Sequence, residues 1–244
     1  MGRIGSAPAL TYSIQDYLKS IYELTDAGEP AATNAIAARL GVSAASVTGM
    51  LQKLASVRPA LVAYKKHQGV RLTGSGRRAA LQVIRHHRLL ETWLVQALGY
   101  SWDEVHREAE KLEHVMSEDM EERISRALGN PVRDPHGEPI PSADLVMPPD
   151  RSVPLSDLMA GQEAIVRRVE GRDSVALKHL NAIGVQIGSR VTVVSLTEYD
   201  QLAVLQVHGQ QQNITLGPAL TQRVYVEQTH RIKPRKYLPS GRTR

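Results

Sequence analysis

Apolar residues return every three or four positions through the first half of the chain and at alternate positions through much of the last third, so the pattern predicts helices first and strands afterwards. In SIQDYLKSIYELTDAG, Ile14, Tyr17, Leu18, Ile21 and Leu24 share one face and Gly28 supplies a stop, which predicts an amphipathic helix. TNAIAARLGVSAASVTGMLQKLA follows. Thr33 is placed to cap a short helix ending at Leu40, Gly41 to make the tight turn, and Ser43 to cap a second helix that turns Val47, Met50, Leu51 and Leu54 inward. This is helix-turn-helix spacing. ALVAYKKHQGVRLTGSGRRAA then reads as two short strands joined around His67, Gln68 and Gly69, a wing beside the second helix.

Breakers are few up to about residue 128, and the run from Val105 to Arg123 reads as one helix-forming segment with Val105, Ala109, Leu112, Val115 and Met116 on its apolar stripe. From Gly129 to Pro154 a proline-rich stretch marks a connecting segment. Between about 160 and 228 the period changes. AIVRRVEG, SRVTVVSLTE, LAVLQVHG, QNITLG and RVYVEQ are short and Val-rich, as expected of a small barrel of about five strands. HRIKPRKYLPSGRTR closes the chain as a basic tail.

The 244 residues favour two or three units. No stretch reaches the length of a membrane span, and MGRIGSAPALTYS lacks the pattern of a signal peptide, so a cytoplasmic protein is expected. The chain has no cysteine, which excludes disulfides and thiolate metal sites and leaves carboxylate and imidazole as the strong ligands. Mn(II) and Fe(II) are the natural guests of such donors. A net charge of +5 is compatible with an anionic partner.

Two places carry chemistry. On the second helix of the helix-turn-helix, Ser43, Ala44, Ala45, Ser46, Thr48, Gly49 and Gln52 face outward and are small or polar, which allows close approach to base edges. Lys53, Lys65, Lys66, His67 and Arg71, with Thr33 at the first helix, are available to phosphates. In the 105–123 run, His106, Glu110, Glu113 and His114 fall within an arc of about 100° at helical pitch, two imidazoles and two carboxylates that look like half of a divalent-metal site. Glu118, Asp119, Glu121 and Glu122 read as a solvated face, His86 as a solvent or packing residue, and His136 as a loop residue without partners at ligand spacing. Trp93 and Trp102 read as core or dimer interface.

The segments SIQDYLKSIYEL, IAARLGVSAASVTGMLQKL, VRLTGSGRR, RHHRLLETWL and VHREAEKLEHVMSEDMEERI, taken in order with GNPVRDPHGEPIP, resemble the diphtheria toxin repressor family of metal-dependent transcription regulators, including its manganese-responsive branch. The resemblance implies a multidomain chain: a winged helix-turn-helix plus an all-α dimerisation domain, followed by a small SH3-like β-barrel. It sets boundaries of 1–78 for the DNA-binding domain, 79–148 for the helical metal-binding domain, 149–159 for a linker, 160–230 for the SH3-like domain and 231–244 for the tail.

Carried over by residue, the resemblance implies a main regulatory site of Asp16, Glu110, Glu113 and His114 and a second site of His87, Glu91 and His106, with Glu170 and Asp173 as the nearest equivalents of further ligands from the SH3-like domain. Carboxylates at Asp16 and Glu110, where some members have softer ligands, favour Mn(II), with Fe(II) or another divalent transition metal as the alternative. Lys19 departs from the manganese-responsive pattern, which has a second acidic ligand there and pairs two ions closely; an ammonium cannot ligate metal and repels an ion nearby. The implied protein is no enzyme and takes no small-molecule substrate. It is a homodimer on a palindromic double-stranded operator that represses metal-uptake genes when metal is bound. The rivals are a metal-independent structural DNA binder and a helical-bundle metalloenzyme. The latter needs Glu-x-x-His pairs, and the residues three before His114 and His87 are Lys111 and Ile84.

Overall fold

The computed structural model describes residues 10–25, 28–197 and 199–229, so the basic stretch 231–244 lies outside the described residues. It divides into two compact units, Met1–Pro135 with Pro139–Pro149, and His136–Glu138 with Asp150–Arg244. No helix among the described residues is long and apolar enough to cross a membrane.

The first unit runs α1 (Tyr12–Thr25), α2 (Thr33–Leu40), α3 (Ala44–Ser56), β1 (Val62–Lys65), β2 (Gly69–Leu72), α4 (Gly74–Leu98), α5 (Val105–Leu112) and α6 (Glu118–Ala127). The apolar face of α1 packs Ile14, Tyr17, Leu18 and Ile21 against Ile36 of α2 and Val47, Leu51 and Leu54 of α3. Gly41 makes the turn between α2 and α3 in the left-handed region, and Ser43 Oγ caps α3 by accepting from Ser46 N–H at 3.1 Å. The expected cap at Thr33 is corrected. Ala31 pairs in both directions with Val70 of the wing, Ala32 is still extended at the N-cap, and Thr33 is already the first helical residue. The wing is the antiparallel pair β1 and β2, with Lys65 opposite Gly69 and His67 at positive φ in the turn.

Helix α4 is the spine of this unit. Thr73 Oγ1 caps it by accepting from Gly76 N–H, and Gly76 lies so close to the chain before the wing that an added Cβ would stand 1.9 Å from the Leu61 carbonyl oxygen. Its N-terminal half, with Ala80, Leu81 and Ile84, belongs to the winged-helix core. Its C-terminal half, with Leu89, Leu90 and Leu94, joins Val105, Ala109, Met116, Ile124 and Ile140 in a second core. Between the two, Arg85, His86, His87, Arg88 and Glu91 are all buried, a polar belt that must find partners inside the fold.

Three readings of the sequence change here. The 105–123 run is not one helix: α5 stops at Leu112 and α6 starts afresh at Glu118, because Ser117 caps it by accepting from Met120 N–H at 3.2 Å and Glu118, Asp119 and Glu121 suit its positive end. Val115, expected on the apolar stripe, falls in the break and is 61% exposed. The proline-rich stretch is more than a connection, since Ile140 fills the second core and the Arg85 and Arg88 guanidiniums each donate to one of its carbonyls, Pro141 O and Pro139 O, at 2.6 Å.

The second unit is a small antiparallel sheet of the SH3-like kind. Its elements are β3 (Val153–Pro154), β4 (Glu163–Val169), α7 (Ser174–Ala182), β5 (Arg190–Leu196), β6 (Ala203–Val207), β7 (Ile214–Leu216), α8 (Pro218–Thr221) and β8 (Val224–Gln228). Strand order is β3-β8-β4-β5-β6-β7, one strand more than the hydrophobic pattern predicts. Alternate residues Ala164 and Val166, Val191 and Val193, Leu205 and Val207, Val224 and Val226 point into its core. His136, expected to be a loop residue without partners, is instead buried and leaves no room for a side chain at Gly171.

Candidate functional site

Two groups of ligand-type side chains converge where α1, the middle of α4 and the end of α5 meet. In the first, His87 and Glu91 lie one turn apart on α4 and His106 reaches them from α5. His87 Nε2, His106 Nδ1 and Glu91 Oε1 are each 2.9 Å from the other two. An octahedral ion with bonds of about 2.1 Å holds adjacent ligand atoms about 3 Å apart, so this triangle of two imidazole nitrogens and a carboxylate oxygen fits a divalent transition metal. In the second group, Asp16 of α1 meets Glu113 and His114 from the end of α5. His114 Nε2 stands 3.0 Å from Asp16 Oδ1 and 3.6 Å from Glu113 Oε1.

The second group has its own supports. Tyr12 stacks on the His114 ring at 5.0 Å between centroids, and Gln15 Oε1 lies 2.6 Å from His114 Nδ1. A proton on Nδ1 donated to the Gln15 amide oxygen leaves the Nε2 lone pair facing the Asp16 carboxylate. Two acceptors at that distance require a proton or a metal ion to bridge them. Burial raises the Asp16 pKa, the opposing charges of His114 and Lys19 notwithstanding.

Glu113 joins the two groups. It is 2% exposed, bonds His87 Nδ1 through Oε2, and accepts from the Lys19 ammonium on both oxygens at 2.9 and 2.7 Å. Burial pushes its pKa up, but the His87 hydrogen bond and the charges of His87 and Lys19 outweigh that and leave it below the ordinary carboxylate range. Glu110 differs from the expected grouping. It lies 3.3 Å from His106 Nε2, the ring nitrogen opposite the Nδ1 that faces His87 and Glu91. The His106 hydrogen bond draws the Glu110 pKa down to about 2. Burial opposes a charge on His106, yet the bonds to Glu110 and Glu91 raise its pKa.

A second layer was missed by the sequence reading. His86, expected in solvent or packing, is buried with Nδ1 3.0 Å from the Glu113 carbonyl oxygen and Nε2 2.9 Å from Glu121 Oε2. Glu121, expected on a solvated face, is likewise buried and takes a short hydrogen bond from the Arg85 Nε–H and another from Gln82. Although burial raises the Glu121 pKa, His86 and Arg85 bring it down to about 2. The signal lay in α4, where Arg85 and His86 stand beside His87 within a stretch flanked by apolar residues on both sides. In the second unit, Glu170 and Asp173 both lie within 4 Å of Arg223, at 3.8 and 2.7 Å, and Asp173 caps α7 by accepting from Val175 and Ala176 N–H. The Ala176 hydrogen bond is the main cause of the lowered Asp173 pKa.

At the other face of α1–α3, the outward side of α3 is open. Ser43, Ala44, Ala45, Ser46, Gly49, Gln52 and Lys53 are exposed and Thr48 is half-buried. Lys65, Lys66, His67 and Arg71 are exposed on the wing, and Thr33 is half-buried at the start of α2. This is a helix free to enter a groove, flanked by cations.

Comparison with known proteins agrees along the chain. Residues 9–70 match the model of the iron dependent repressor N-terminal DNA binding domain, 73–142 that of the iron dependent repressor metal binding and dimerisation domain, and 153–228 the FeoA domain. The iron-dependent repressor IdeR of Mycobacterium leprae is 34% identical over 223 residues, covering 86% of this chain and 95% of its own. The diphtheria toxin repressor of Corynebacterium efficiens is 32% identical over 189 residues, 73% of this chain and 81% of its own. Among solved structures, a manganese-dependent transcriptional repressor in complex with manganese aligns with a TM-score of 0.81 at 39% identity, covering 88% of this chain and 99% of that one. ScaR with bound Zn2+ aligns at 0.76 and 33%, covering 88% and 98%. With a DNA-binding head, a carboxylate and histidine centre and these relatives over nearly the whole length, the chain belongs to the iron-dependent repressor family of metal-dependent transcriptional repressors, not to a family of enzymes.

Proposed function

We propose that the protein is a manganese sensor, with Fe(II) as the alternative ion, that binds a palindromic operator as a homodimer and represses metal-uptake genes. The observation that carries this reading is that Asp16 lies on α1 of the DNA-binding head while Glu113 and His114 lie at the end of α5. Metal held by both would fasten the head to the helical domain and fix the spacing of two α3 helices. One ion would take His87, Glu91 and His106, with Glu110 beside them, and one would take Asp16 and His114 with Glu113. Hard oxygen donors and imidazoles without a sulfur ligand support Mn(II). Asp173 is left out of this ligand set, since Arg223 and the start of α7 already use its carboxylate.

In the complex, Ser43 to Gln52 would read base edges in the major groove, while Lys53, Lys65, Lys66, His67 and Arg71, with Thr33, hold phosphates. Residues 1–78 act as the reading head, 79–148 as the sensing and pairing domain and 160–230 as the SH3-like domain. Gel-shift titration of palindromic genomic fragments with Mn(II), Fe(II) or chelator tests the reading: metal should tighten binding, and equal binding in all three sinks it. Retention of metal-dependent binding by Glu113→Ala would remove that residue from the centre.

A further inference from the structure

We propose that the Lys19 ammonium is a tethered cation that does the work of one metal ion, holding α1 on the end of α5 when no metal is present. This rests on the reading of the two groups as a metal centre. Lys19 lies one helical turn beyond Asp16 on the same face of α1, yet it is 6% exposed, a degree of burial that lysine accepts only with a partner. That partner is Glu113, 94 residues away, whose two oxygens sit 2.9 and 2.7 Å from Nζ.

The geometry has two consequences. First, Glu113 is the residue through which the two ligand groups communicate, since the same carboxylate bonds His87 and lies 3.6 Å from His114 Nε2. A fixed positive charge on both of its oxygens offsets the carboxylate and leaves Glu113 unable to bridge to a further ion beside the one at Asp16 and His114. The subunit should therefore take up fewer ions than one with a carboxylate at position 19. Second, the bond spans α1 and α5, the two elements that metal would join. Part of the docking of the reading head is thus built into the chain, and metal completes it through Asp16 and His114 rather than creating it.

The experiment uses the full chain, as wild type, Lys19→Glu and Lys19→Met, each stripped with chelator and then dialysed against Mn(II). Mn(II) per subunit is measured by elemental analysis, and hydrogen exchange of α1 amides is followed with and without metal. Lys19→Glu should bind one more equivalent than wild type. In chelator, α1 of Lys19→Met should exchange about tenfold or more faster than wild type and regain protection with Mn(II), because its docking then depends on the ion alone. An unchanged count in Lys19→Glu, or wild-type protection of α1 in metal-free Lys19→Met, overturns the proposal while leaving the sensor reading intact. Should Lys19→Glu fail to fold, the exchange of Lys19→Met decides alone. A wild-type chain that binds no Mn(II) overturns both.

Discussion

Replacing Glu121 with glutamine should destabilise the helical part of the first unit by about 3 kcal/mol at neutral pH, and two routes lead to that magnitude. Electrostatically, the Glu121 pKa stands at about 2 instead of 4.5, and at ~1.4 kcal/mol per pH unit that difference corresponds to about 3–3.5 kcal/mol. Structurally, the change leaves the buried Arg85 guanidinium without its carboxylate, with Pro141 O and Ser125 Oγ as its other partners, and losing one member of a buried ion pair costs about 3–5 kcal/mol. The sign follows from linkage. A carboxylate whose pKa is lowered on folding stabilises the fold fully above 4.5 and loses that contribution as pH falls from there towards 2. Urea denaturation of metal-free wild type and Glu121→Gln at several pH values between 7 and 3 should show a gap of about 3 kcal/mol that narrows steadily below pH 4.5. A gap under about 1 kcal/mol at pH 7, or one that does not change with pH, would refute the reasoning. Because His86 connects Glu121 to the Glu113 carbonyl, the same variant should also weaken metal affinity by about tenfold or more.

Ser43→Ala removes the α3 cap and should cost about 1 kcal/mol in urea denaturation, with operator affinity falling in step because the lost turn carries Ala44 to Ser46. Lys65→Gln with Lys66→Gln should weaken all DNA sequences alike and flatten the log-affinity against log-salt slope by about 1.8, measured by anisotropy; an unchanged slope would detach the wing from phosphate. Gly76→Ala forces a Cβ against the Leu61 carbonyl and should lower Tm by several degrees, whereas Gly74→Ala, where nothing lies within 4 Å, should not.

What could be read in the sequence was local. Gly41, Ser43 and the spacing of Val47, Leu51 and Leu54 specify the helix-turn-helix because capping and periodicity act over a few residues. His87 with Glu91 is likewise an i, i+4 pair, helical pitch marked His106, and family resemblance set it beside that pair and supplied Asp16 from afar. The partners that organise the centre were not legible: Lys19 with Glu113, Gln15 with His114 and His86 with the Glu113 carbonyl join residues 94, 99 and 27 positions apart, and no periodicity encodes such pairs. Thr33 failed as a cap because pairing of Ala31 with Val70 decides where α2 begins. The end of α5 was within reach, since Ser117 followed by Glu118 and Asp119 is a helix-start signal that was outweighed by the apolar stripe.

That break between α5 and α6 gives the carboxylate and histidine cluster a polarity. Glu113 and His114 directly follow the last turn of α5, where the helix dipole places partial negative charge. Had α5 run on into α6, the Glu113 carbonyl oxygen would have been taken by the next turn and would not be open to His86. Interrupted here, the end of α5 favours positive charge beside Glu113 and His114 by about 0.3–1 kcal/mol per unit charge, as the Lys19 ammonium already supplies. The break that leaves the Glu113 carbonyl to His86 is therefore set in part by a serine, Ser117, whose own hydrogen bonds run into α6.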